Sequence, residues 1–93
     1  YNVEILFPSF FEQIFSEKKF HYSQKMKKDK QGNVLLSMHV PVDRDLIQWI
    51  LGWSDRAVVL KPKKLRDELY NMGKFLVKKY KRQDSKKTKM SGT

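Results

Sequence analysis

The chain has 93 residues, room for one small domain with a thin core, and its ordinary apolar and high aromatic content excludes global disorder. It has no cysteine, which excludes disulfides and thiolate zinc sites, and no apolar run approaches the roughly 20 residues of a membrane span. The net charge is +10, yet residues 1–60 hold eight basic and seven acidic side chains while residues 61–93 hold twelve and three, so an anionic partner is expected to meet the last third of the chain.

No signal-peptide pattern opens the sequence; Tyr1 leads at once into an apolar run, read here as a domain boundary with further protein expected before it. Asn2 to Phe7 alternates, with Val3, Ile5 and Phe7 on one face, and reads as a strand. Pro8 and Ser9 break it, and Phe10, Phe11, Ile14 and Phe15 give a short amphipathic helix to about Glu17. From Lys19 to Lys27 the period returns to two, with Phe20, Tyr22 and Met26 on one side. Lys28 to Gly32 is a polar turn, and Asn33 to Val40 is a strand with Val34, Leu36, Met38 and Val40 aligned. Matching the apolar faces of this hairpin leaves two registers. Tyr22 opposite Met38 needs a five-residue loop; Tyr22 opposite Val40 needs a three-residue loop ending in Gly32.

Pro41 ends the strand and Asp43 is a good N-cap for a helix whose face is Leu46, Trp49, Ile50 and Trp53. Ala57 to Leu60 is a short apolar strand. Pro62 opens the longest helix, reaching about Arg82, along which Leu65, Leu69, Met72, Leu76 and Tyr80 step by three and four. Residues 1–82 are therefore expected to form the domain and residues 83–93 a disordered basic tail. The predicted class is α+β. The order β-α-β-β-α-β is that of the ferredoxin-like split βαβ fold, an antiparallel sheet here followed by an added C-terminal helix.

The segment from Leu36 to Arg66 resembles the WCX domain, the C-terminal extension of bacterial WYL-type transcriptional regulators. The resemblance rests on the strand Val34–Val40, then Asp45-Leu46-Ile47-Gln48-Trp49-Ile50-Leu51-Gly52-Trp53, then Val58-Val59-Leu60-Lys61-Pro62 and the pair Leu65-Arg66. It extends over roughly residues 2–82. Ser54-Asp55 stands where the family has a glycine after the aromatic, which implies a different turn. The WYL and helix-turn-helix domains expected upstream are not in this sequence. The resemblance implies a piece of a cytoplasmic bacterial transcription factor, with those upstream domains as partners. It further implies a part in dimerisation and in the effector response, for which single-stranded nucleic acid is a ligand class.

The residues themselves point away from catalysis. His21 and His39 would face each other across the hairpin only with the five-residue loop, and no third metal ligand or cysteine accompanies them. No Gly-rich phosphate loop or nucleophile elbow occurs, so neither an enzyme nor a cofactor is expected. A base-stacking sheet of the RNA-recognition type is excluded too, because the Asn33–Val40 strand has no aromatic residue. Backbone contact with phosphates remains open to Lys61, Lys63, Lys64, Arg66, Lys74, Lys78, Lys79, Lys81 and Arg82. Arg66 is the preferred single choice, because the resemblance reaches it and guanidinium suits phosphate geometry. The competing reading of Arg66 is an ion pair with Asp67, and of the lysines a solvated helix face. Leu6, Leu35 and Val59 are expected on the open sheet face as a docking or dimer surface, unless the last helix covers them. Trp49 and Trp53 are assigned first to the core. The alternative to a regulator domain is a free-standing protein-interaction module with a basic surface and no nucleic-acid role.

Overall fold

The computed structural model describes the backbone of residues 1–91 and the side chains of residues 1–81. It contains β1 (Asn2–Phe7), α1 (Phe11–Glu17), β2 (Lys25–Lys28), β3 (Val34–His39), α2 (Arg44–Leu51), a single 3₁₀ turn (Ser54–Arg56), β4 (Val58–Lys61) and α3 (Lys63–Ser91). The protein is α+β, with one four-stranded sheet in the order β2-β3-β1-β4 and every neighbouring pair antiparallel. The tail expected over 83–93 falls on residues whose side chains lie outside the described part.

Of the two hairpin registers the structure takes the one with the three-residue loop. Lys25 pairs with Ser37, Met26 with Leu36 and Lys28 with Val34. Asp29 explains the choice. Its Oδ1 accepts from the amides of Gln31 (2.9 Å) and Asn33 (2.8 Å), and Gly32 turns the chain at φ +84°, a conformation that costs glycine nothing. His21 and His39 are consequently not opposed. His21 Nδ1 accepts from the Ser23 amide at 3.1 Å, while His39 Nδ1 lies 3.0 Å from Asn2 Oδ1.

Residues 19–24 depart from the strand expected there. They form a looped turn held by Gln24, whose Oε1 accepts from the Phe20 amide (2.8 Å) and whose Nε2 donates to the carbonyls of Phe15 (3.3 Å) and Lys18 (3.2 Å). Phe20 still reaches the core, whereas Tyr22 points into solvent.

The core lies between the sheet and the helices. Val3, Ile5 and Phe7 of β1, Val34, Leu36 and Met38 of β3, and Val59 of β4 meet Phe11 and Phe15 of α1, Leu46 and Ile50 of α2, and Leu65 of α3. Trp49 and Trp53 pack against it as expected, edge-on to Phe7 at 6.5 and 6.1 Å. Phe10 does not join. It lies exposed, with the Arg56 guanidinium 5.6 Å from its ring centre. Asp43 caps α2, its Oδ1 accepting from the Leu46 amide at 3.0 Å. Ser54, which stands where the family pattern has a glycine, adopts the left-handed φ of +59°, a conformation that favours glycine.

The last helix does not cover the open sheet face. Leu65 is fully buried and Leu69 partly so, but from Tyr70 onward the described apolar side chains of α3 are exposed. The radius of gyration, 16.7 Å, exceeds the about 12 Å of a compact chain of this length, because α3 runs out beyond the sheet.

Candidate functional site

The open sheet face carries two cross-strand rows. One runs Val58–Leu6–Leu35–Lys27, the other Lys61–Glu4–Ser37–Lys25. The expected trio of Leu6, Leu35 and Val59 is thus corrected at its last member. Val59 pairs with Ile5 and shares its core-facing side, 7% exposed, whereas Val58 is 52% exposed. A shift in register between Glu4 and Ile5 leaves Leu60 as an extra, exposed residue. The apolar row is therefore Val58, Leu6 and Leu35, extended by Leu60 at the edge. Sequence could not set this parity, because Val58-Val59-Leu60 is apolar at every position and shows no alternation.

Beside Leu60 the first turns of α3 form a recess of about 420 Å³ lined by Leu60, Lys63, Arg66, Asp67 and Tyr70. Arg66 and Tyr70 are one helical turn apart and so lie on the same side. Asp67 does not pair with Arg66. It takes Lys63 instead, Nζ to Oδ2 at 2.7 Å, and among the described residues Arg66 has no acidic partner. Its five N–H donors are left for solvent or an incoming acceptor. The other chosen cations are placed differently. Lys61 pairs with Glu4 at 3.3 Å, and Lys64 Nζ stands 5.6 Å from the Tyr1 ring centre. Lys78 and Lys81 are exposed farther along α3, Lys78 about 18 Å of helix axis beyond Arg66. Arg82 lies outside the described side chains. The described cations therefore make no single site. Lys61, Lys63, Lys64 and Arg66 gather at the start of α3, and Lys78 and Lys81 belong to its free part. Tyr70 and Leu60 were missed in the sequence; the i, i+4 spacing from Arg66 was the available signal for Tyr70.

The arrangement offers charge and apolar surface and little else. Among the described residues no three His, Asp or Glu side chains come together to hold a metal ion, and no helix is long and apolar enough to cross a membrane.

The family model of the WCX domain matches residues 1–76. The chain belongs to the WCX domain family. The match takes in the whole sheet, both short helices and the recess at the start of α3. Within this WCX domain, Arg66 and the Lys61-Pro62 step lie inside the matched span, and Lys78, Lys79 and Lys81 lie beyond it. No curated protein matches the chain.

Proposed function

We propose that this WCX domain is a non-catalytic, C-terminal regulatory module of a WYL-type bacterial transcriptional regulator, acting in the cytoplasm beside upstream WYL and helix-turn-helix domains. Membership of the WCX family over residues 1–76 is the observation that carries the reading. The strand order β2-β3-β1-β4 with antiparallel neighbours supports a ferredoxin-like assignment for the sheet. Two surfaces divide the work. The row Val58–Leu6–Leu35 with Leu60 supports docking or dimerisation. The recess of Arg66, Lys63 and Tyr70 supports contact with an anionic effector such as single-stranded nucleic acid, where guanidinium meets phosphate and a tyrosine ring accepts a base.

The test is binding of a labelled short single-stranded DNA, with duplex as control, across a salt series, after light scattering has fixed the oligomeric state. A preference for the single strand that survives moderate salt and is lost in Arg66→Ala is the expected result. Weak binding to both forms that salt erases would remove the effector role. A full coding sequence without WYL and helix-turn-helix segments would instead favour the free-standing interaction module.

A further inference from the structure

Past Leu69, helix α3 turns an apolar stripe to solvent. Met72, Phe75 and Leu76, with Ile47 of α2, line a groove of about 430 Å³ whose only charged members are Glu68 and Lys79. Phe75 is 68% and Leu76 47% exposed. Leu51, one turn beyond Ile47 on α2, is exposed as well. Apolar surface of this kind on an element that has left the core is not needed for folding, and phosphate contact would not use it. A flat bilayer does not fill a concave groove between two helices; a protruding side chain does. Side chains at i, i+3/i+4 and i+7 of a helix are the usual way to fill such a groove.

Charge selects among helices. Residues 67–81 carry Lys74, Lys78, Lys79 and Lys81 against Asp67 and Glu68, and the sequence beyond adds Arg82, Lys86, Lys87 and Lys89 against Asp84 alone, so the stripe lies in a segment of net positive charge. A second copy laid along this stripe would set one net-positive segment against another, within about a Debye length of 8–10 Å, whereas an acidic helix meets it with complementary charge.

We infer that the groove between α2 and α3 is a docking site for an acidic amphipathic helix of another protein, its apolar residues seated on Ile47, Met72, Phe75 and Leu76 and a carboxylate meeting Lys79. The face is separate from the sheet and from Arg66, and the inference holds whether or not the regulator reading does.

Fluorescence anisotropy on the full chain tests it. The probe is a labelled helical peptide of about 16 residues, roughly 24 Å long, with leucine at i, i+3, i+7 and i+10 and glutamate at the flanking positions. Its counterpart has lysine for every glutamate. The glutamate peptide is expected to bind at least about tenfold tighter than the lysine peptide, and Phe75→Ala with Leu76→Ala to weaken it by about tenfold or more. Lys79→Glu should shrink the preference between the two peptides. Both variants alter exposed side chains, and circular dichroism verifies that they stay folded. Absent binding of the glutamate peptide, or equal binding of both peptides, would overturn the inference. So would a dimer that disappears in the Phe75→Ala, Leu76→Ala variant, which would assign the groove to a second copy. Selective loss of binding to phosphatidylserine vesicles in that variant, with no effect on the peptide, would assign it to a membrane and overturn it equally.

Discussion

Gln24 is the one buried polar side chain of the described residues, 6% exposed, and its three hydrogen bonds hold the turn that returns the chain from α1 to β2. Gln24→Ala removes an acceptor from the Phe20 amide and a donor from the Phe15 and Lys18 carbonyls. At about 1 kcal/mol net per bond, the loss should be about 2–4 kcal/mol, the lower end applying where water reaches the freed groups. For a domain whose whole stability is about 5–14 kcal/mol, that is a large share. Gln24→Leu separates bonding from packing, since it keeps most of the volume and none of the bonds. Urea denaturation followed by the fluorescence of Trp49 and Trp53 gives both values from the shift in midpoint at constant slope. Gln24→Glu adds a control: the acceptor for Phe20 remains, but an oxygen replaces the donor and faces two carbonyls. That variant should be the worst of the three at neutral pH and recover as the pH falls, because protonation returns a donor. If Gln24→Leu unfolds within about 0.5 kcal/mol of the parent, the three bonds do not hold the turn and the reasoning fails.

Three further outcomes follow from backbone and parity. Gly32→Ala and Gly73→Ala both place a Cβ in open space, yet they should differ in sign. The first costs about 1–2 kcal/mol because φ is +84°; the second raises stability or helicity by about 0.5–1 kcal/mol inside α3. Far-UV circular dichroism with denaturation reads both, and a shared sign would contradict the account. Ser54→Gly should stabilise by up to about 1 kcal/mol, relief of the left-handed φ being partly offset by glycine's freedom in the unfolded chain; a lower thermal midpoint would refute it. Val59→Ala should cost about 1.5–3 kcal/mol and Val58→Ala under about 0.5, measured by the same denaturation. Equal costs would mean that β4 presents the other face to the core.

Elements with clear periodicity were legible in the sequence. The alternation of Val3, Ile5 and Phe7 and the cap at Asp43 gave β1 and α2 nearly to their ends, and the polar run Lys28 to Gly32 marked the hairpin turn, although its register stayed open between two until the bonds of Asp29 were seen. Three features were not. The stretch Lys19–Lys27 alternates like a strand, but the Gln24 side chain within it bonds the backbone of Phe15, Lys18 and Phe20 and holds residues 19–24 in a turn, and no local pattern shows that competition. The parity of β4 was hidden by an unbroken apolar run. The stripe of α3 was read correctly as a stripe, yet a sequence shows only that a face is apolar and not what lies opposite it. The site was legible to the same degree: Arg66 was singled out, while its separation from Lys78 and Lys81 needed the helix to be seen leaving the domain.

The place of β1 has a consequence for how the protein is made. The strand translated first is an inner strand of the sheet, and Ile5 must wait for Leu36 on one side and for Val59 on the other. At about 5–20 residues per second on the ribosome, the second wait lasts several seconds, against the roughly 1–10 μs in which the β2–β3 hairpin closes. A nascent chain that has passed His39 can assemble three strands, with one side of β1 still bare and Leu65 not yet available to close the core. That bare edge, present only during synthesis, is where a chaperone or a neighbouring nascent chain would first find this domain.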